Sequence, residues 1–203
     1  MRRLCPPLLA VLTALAGCGG ESAPVTVLAD LDLSTGHESV FDRPADARDA
    51  PQRLVAGFSA CQGQGVWTLG RSARIDLHAP PTDLHLELTC STMPVLSAYG
   101  QRVTLLWNGQ EICDRELSRG WEAQRVEADV PAELVRAGPN ELSLRPRRIL
   151  PDIAAQEPGL TDDRPLGVFL RRLRLTARLA EPARQRWRAL LAARGATGPS
   201  PGR

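Results

Sequence analysis

The 203-residue sequence contains no lysine, so all 25 of its basic residues are arginine. Aromatic residues make up only 4% of the chain, with four Trp, three Phe and one Tyr. Few side chains are therefore available to stack on a flat ligand. The cysteines and histidines show neither Cys-x-x-Cys nor His-Glu-x-x-His spacing, and the chain has no Gly-x-Ser-x-Gly or phosphate-binding loop. These absences argue against a cysteine zinc site, a zinc hydrolase, a serine hydrolase and a nucleotide-binding enzyme.

Charge is divided unevenly along the chain. From Arg171 onward there are nine Arg and one acidic residue, Glu181, whereas residues 18–170 contain 14 Arg and 22 acidic residues. A nucleic-acid-binding domain needs a basic face on its folded body. Because most of this chain is acidic, we expect no nucleic-acid partner.

The N-terminus has the three parts of an export signal. Arg2 and Arg3 precede an apolar run over residues 8–16, which is too short to span ~30 Å of hydrocarbon. Leu15-Ala16-Gly17-Cys18 follows, and this segment resembles the lipobox of bacterial lipoproteins. In that family the cysteine is acylated and becomes the mature N-terminus. The alternative is an ordinary secretory peptide that contains a cysteine by chance.

The lipobox resemblance implies a division of the chain and a location. Residues 1–17 would be the signal peptide, Cys18 the site of lipid attachment, and residues 18–24 a tether to the membrane. The expected location is the cell envelope, with lipid as the link to the membrane. Gly19 follows the cysteine where an Asp would favour retention in the inner membrane, so in a Gram-negative cell we expect the outer membrane.

From Val25 the apolar residues alternate with polar ones, as in half-buried strands. Turn signals at Pro80-Pro81, Asn108-Gly109 and Gly138-Pro139-Asn140 separate the segments. The pattern predicts an all-β, antiparallel β-sandwich over residues 25–180, with a β-bulge where the apolar parity slips at Arg171-Arg172. The predicted strands are 25–33, 54–58, 66–69, 73–78, 84–90, 103–107, 111–117, 124–130, 142–144 and 168–179.

Several motifs occur in an order that resembles the galactose-binding-like jelly-roll modules. They are Val103–Asn108-Gly109, Gly120-Trp121, Val130-Pro131–Leu134, Gly138-Pro139-Asn140-Glu141-Leu142 and Asp163-Arg164-Pro165-Leu166-Gly167–Leu175. The resemblance covers roughly residues 58–175. Such modules are often appended to sulfatases and glycosidases, so it implies a jelly roll with a general role in carbohydrate binding. It identifies no binding residue, and only Tyr99 and Trp121 fall in loops where a ring could meet a sugar. For Trp121 the favoured alternative is packing over the edge of the sheet.

Two arrangements of polar residues are candidate sites. If residues 79–83 close a hairpin, His78 lies opposite His85 and Asp76 opposite Glu87, a set that a divalent metal could use. The favoured alternative is an ordinary solvated face, so no cofactor is expected. Asp162-Asp163 could be an acid/base pair, but Asp before a Pro-containing turn more often forms local hydrogen bonds.

The cysteines of the exported chain allow at most one disulfide. Cys90 shares parity with Leu84, Leu86 and Leu88, so we expect it to be inward and free. A regular hairpin at Asn108-Gly109 places Cys113 outside, which favours a Cys61–Cys113 disulfide.

The C-terminus begins with an amphipathic helix at residues 181–195 and ends in a tail, residues 196–203, that we expect to be disordered. Ala183, Trp187, Leu190 and Leu191 form its apolar stripe. We favour packing of this stripe on the sandwich over binding to a membrane.

The functional expectation is a lipid-anchored, non-catalytic envelope module that binds a glycan or an envelope protein partner. The alternative is an enzyme, or an accessory subunit of a carbohydrate-active or sulfatase-type hydrolase.

Overall fold

The computed structural model describes residues 23–33, 52–60 and 62–195. The predicted signal peptide, Cys18 and the predicted C-terminal tail lie outside these residues. Among the described residues, no helix is long and apolar enough to cross a bilayer. The elements are β1 (Val25–Asp32), β2 (Gln52–Ala56), β3 (Val66–Leu69), β4 (Ala73–Ala79), β5 (Leu84–Ser91), α1 (Pro94–Ala98), β6 (Arg102–Trp107), β7 (Gln110–Glu116), β8 (Gln124–Val130), β9 (Gly138–Pro146), β10 (Leu166–Arg178) and α2 (Glu181–Gly195).

The strands form two antiparallel sheets, as expected for a β-sandwich. One sheet has the order β1-β10-β5-β8, with β3 paired to β10 beyond the end of β1. The other has the order β2-β4-β9-β6-β7. Some consecutive strands, such as β4 and β5, therefore lie in different sheets, and the alternating buried apolar residues of each face the other sheet.

The core between the sheets follows the predicted alternation. Leu84, Leu86 and Leu88 on β5 are at most 3% exposed, and Ile75 and Leu77 on β4 are fully buried. Burial of a large apolar side chain contributes about 1.5–3 kcal/mol, so a one-residue slip of either strand would be strongly opposed. A second, smaller apolar cluster lies at the N-terminal end of β10. It includes Trp67, Leu96 and Phe169.

Strand β10 contains the predicted β-bulge. Its pairing with β5 shifts between Leu170 and Arg172, which leaves Arg171 as the additional residue. The bulge keeps Leu170 and Leu173 both buried, although an uninterrupted alternation would turn one of them outward.

The Asn108-Gly109 turn is also confirmed, but the hairpin it closes is not regular. Asn108 and Gly109 both have positive φ, 51° and 88°, as a type I′ turn requires. The register then shifts between Leu105 and Leu106, so that Cys113 pairs with Leu105. The prediction that Cys113 faces outward is therefore wrong, because the bulge turns it toward the main core.

Helix α2 packs on the sandwich, as expected. Trp187 is only 5% exposed and belongs to the main core, and Ala183 and Leu191 pack against that core. Leu190, which the sequence pattern places in the same apolar stripe, is 38% exposed. Its exposure shows that the buried stripe is narrower than the sequence indicated.

Candidate functional site

The predicted metal patch does not form. β4 pairs with β2 and β9, whereas β5 pairs with β10 and β8. His78 lies opposite Pro139 and Asp76 opposite Glu141, while His85 lies opposite Asp129 and Glu87 opposite Glu127. The hairpin register was wrong because residues 79–83 carry the chain from one sheet to the other. In the part of the chain that the structure describes, no group of three or more His, Cys, Asp or Glu could hold a metal ion.

His85 instead forms a local pair on the outer face of its sheet. Its Nδ1 lies 2.8 Å from an Asp129 carboxylate oxygen, and both side chains are substantially exposed. A groove passes over this pair between Val25, Asp83 and Thr176. Asp83 is itself engaged, because its carboxylate accepts a hydrogen bond from the Ala132 amide.

The charged residues beside His85 are largely neutralised by one another. Glu87 pairs with Arg125, which also contacts Glu127 at 3.0 Å. Asp30 accepts two hydrogen bonds from Arg172, and this contact holds the pKa of Asp30 below its usual value. Carboxylates paired in this way are poor candidates for a general acid, which needs a raised pKa. This face therefore has the character of a solvated polar surface.

Asp162 is also a structural carboxylate. It accepts hydrogen bonds from the backbone amide and the guanidinium of Arg164, which lower its pKa to about 2. The carboxyl is thus ionised at neutral pH and closes a turn before β10. This geometry favours the interpretation of Asp162-Asp163 as a turn with local hydrogen bonds over an acid/base pair.

Trp121 is the exposed aromatic residue of the described structure. Its exposed fraction is 49%, whereas Trp67, Trp107 and Trp187 are 4%, 0% and 5% exposed. The loop that carries it is held in place at Gly120, whose carbonyl accepts a hydrogen bond from the Thr92 amide at 3.0 Å. Gly120 has φ 56° and packs on Pro94, so a side chain there would be strained.

Two buried rings support Trp121 from below. The Trp121 and Trp67 centroids are 5.8 Å apart with the planes at 75°, an edge-to-face contact. Trp67 in turn contacts Phe169 at 4.9 Å. The exposed indole is therefore positioned by rigid neighbours, which lowers the entropy lost when a ligand stacks on it.

Arg171 completes this aromatic cluster, which consists of Trp67, Trp121, Phe169 and Arg171. Its guanidinium lies 5.7 Å from the Phe169 centroid and donates a hydrogen bond to the Trp121 carbonyl at 3.3 Å. The bulge in β10 makes Arg171 the additional residue and so gives its side chain this direction. The slip in apolar parity predicts the bulge, but no local pattern connects Arg171 with Trp121, because their contact spans 50 residues.

Tyr99, the second predicted ligand-binding aromatic, is held differently. It follows α1 and packs partly against the second apolar cluster. Its hydroxyl donates to Glu157 at 3.1 Å, and this hydrogen bond raises the pKa of Tyr99. Tyr99 and Trp121 thus both border the apolar cluster at the start of β10, but Tyr99 is already engaged.

Both described cysteines are free thiols, in contrast to the predicted disulfide. Cys90 is free and buried, as expected, whereas Cys113 is also free and the predicted Cys61–Cys113 disulfide is therefore not formed. Cys61 itself lies outside the described residues. The bulge between Leu105 and Leu106 explains the error, since it turns Cys113 inward.

We expect the Cys90 thiol to be unreactive while the protein is folded. Burial raises its pKa to about 12, so the reactive thiolate is scarce at pH 8. Alkylation followed by peptide mass mapping should label Cys90 slowly in buffer and rapidly in denaturant. Rapid labelling in buffer, or a native disulfide at Cys90, would contradict the burial of this thiol.

Comparison with protein-family models and with curated proteins finds no match. Among solved structures, the chain is similar to the C-terminal domain of EclA, a sugar-binding protein, with a TM-score of 0.37 and 11% identity over 54% of this chain and 69% of that one. A family 35 carbohydrate-binding module from an environmental isolate has a TM-score of 0.35 and 15% identity, and the match covers 62% of this chain and 80% of that one. The CBM36-1 domain of a multidomain xylanase from the hindgut metagenome of Trinervitermes trinervoides has a TM-score of 0.37 and 12% identity. That match covers 55% of this chain and 76% of that one. TM-scores this low carry no functional assignment, so the case for a ligand depends on this chain's own residues.

Proposed function

We propose that this protein is a non-catalytic, lipid-anchored module of the cell envelope that binds a glycan through Trp121. The observation that carries the proposal is the exposure of Trp121, because the other three tryptophans are buried. An indole face matches the C–H surface of a sugar ring, and exposing it to water without a ligand has no benefit for folding.

The surroundings of Trp121 suit a sugar as well. Arg171 provides a guanidinium that contacts the Trp121 backbone carbonyl and the Phe169 ring, and the ion pairs among the described residues do not include it. A guanidinium can donate several hydrogen bonds to hydroxyl or carboxylate oxygens. Stacking would thus supply affinity, while Arg171 would help to orient the sugar.

Substitution of Trp121 tests the glycan proposal. Screening the protein on an array of bacterial and plant polysaccharides should give a ligand, and Trp121→Ala should weaken that binding about 30-fold, the effect of a tryptophan at the centre of a binding site. Trp121→Phe should retain part of the affinity because it keeps a ring. Val27→Ala is a matched control, since Val27 is an exposed apolar residue far along the sheet. Absence of any glycan ligand, or equal binding by Trp121→Ala, would contradict the proposal.

The lipid anchor rests on the sequence around Cys18. Labelled palmitate should be incorporated into the wild-type chain, and Cys18→Ser should abolish labelling and leave the protein soluble or unprocessed. Cys5→Ser is the control, because Cys5 lies within the proposed signal peptide and would be removed with it. An unlabelled wild-type protein would show that the chain is not a lipoprotein.

A further inference from the structure

Helix α2 carries arginines that the packing of the helix does not use. Trp187 faces the core, and the two neighbouring arginines, Arg186 and Arg188, are both exposed. At 100° per residue they lie about 200° apart, on the two flanks of the helix. The acidic residue of α2, Glu181, is paired with Arg184, so it does not neutralise the other two.

Exposed apolar side chains lie on the Arg186 side of the helix. Leu190 is 38% exposed and borders a groove together with Arg178 and Arg186. Val25 is 61% exposed and lies opposite Arg178 in the pairing of β1 with β10. Together Val25, Arg178, Arg186, Arg188 and Leu190 form what we call the α2 surface.

Basic side chains interspersed with apolar ones are typical of protein surfaces that rest on anionic bilayers. The arginine heads bind phosphate oxygens, while their alkyl stems and the neighbouring Leu and Val contact the acyl boundary. A soluble partner protein would more often be met by aromatic residues, and the α2 surface exposes none.

We propose that the α2 surface binds the headgroups of anionic phospholipids and seats the domain directly on the bilayer. This goes beyond glycan binding and is independent of it. It also concerns the affinity of the folded domain itself, which can be measured without the lipid on Cys18.

Vesicle co-sedimentation tests the proposal. Every described strand and helix lies between Val25 and Gly195, so a chain that begins at Gly19 keeps the whole fold and lacks both signal and lipid. This protein should bind vesicles that contain phosphatidylglycerol more tightly than vesicles of phosphatidylcholine alone, and salt should weaken the binding. Arg186→Gln/Arg188→Gln should reduce the affinity about 25-fold, since each arginine at the surface contributes about fivefold.

Arg145→Gln/Arg147→Gln is the matched control. It removes the same charge from exposed positions at the far end of β9 and should change the affinity less than threefold. Equal binding to both vesicle types, or equal losses in the two double variants, would overturn the proposal. Glycan binding by Arg186→Gln/Arg188→Gln should be unchanged, so failure of this proposal is distinguishable from failure of the one for Trp121.

Discussion

Replacing Gln101 with leucine should lower the free energy of unfolding by about 3 kcal/mol. Gln101 is fully buried, and its side-chain amide makes four hydrogen bonds. The amide nitrogen donates to the carbonyls of Arg148 and Gly167, and the oxygen accepts from the amides of Arg102 and Arg148. Leucine has similar volume but would leave these backbone groups unpaired away from water.

Urea denaturation of the purified protein measures this effect. Gln156→Leu is the matched control, because Gln156 is exposed and should change stability by less than about 0.5 kcal/mol. A loss at position 101 as small as that at position 156 would mean that the four hydrogen bonds do not hold the β9–β10 connection in place.

The second large effect is expected at Trp107. This side chain is fully buried in β6, which lies between β9 and β7. Trp107→Ala would remove the largest buried side chain of that sheet and should cost about 4 kcal/mol, through lost burial and the cavity left behind. The midpoint of thermal unfolding should fall by about 8–16 °C, because 1 kcal/mol shifts it by about 2–4 °C in a chain of this size.

Trp121→Ala is the informative comparison for this variant. Trp121 is half exposed, so its loss should cost about 1 kcal/mol, mainly from the contact with Trp67. Binding and stability are therefore expected to separate, since position 121 affects glycan affinity and position 107 affects folding. If both variants lose stability to the same extent, Trp121 has a structural role instead.

Local patterns predicted much of the fold. The slip in apolar parity located the β10 bulge at Arg171, and the Asn108-Gly109 dipeptide identified a type I′ turn. Both features depend on residues close in sequence, where backbone geometry and side-chain period are decisive. The predicted burial of the β5 leucines is confirmed for the same reason.

The errors arose where pairing depends on distant residues. The segment from Pro80 to Asp83 is short enough for a hairpin, yet it joins two sheets, and the inward leucines fit either arrangement. This choice alone decided whether His78 could meet His85. Likewise, nothing in the sequence around Gln101 reveals that its partners are 47 and 66 residues away.

The candidate site was foreseen in one residue only. The sequence identifies Trp121 as a loop aromatic, but the rings that support it and the guanidinium that contacts its carbonyl come from β3 and β10. The sequence identifies Tyr99 in the same way, but its hydrogen bond to Glu157 is not predictable, because Glu157 lies in an irregular segment.

The length of β10 sets the reach of the proposed module. Phe169 supports the Trp121 end of this strand, and Arg178 lies opposite Val25 at the other end, which the proposed tether would precede. Nine residues at ~3.3 Å each separate these ends by about 30 Å. With Cys18 in a bilayer and a six-residue tether that extends at most ~20 Å, Trp121 would stand roughly 30–50 Å above the headgroups. At that height it would meet extended polysaccharide chains, and the sugars of the lipids themselves would lie beneath it.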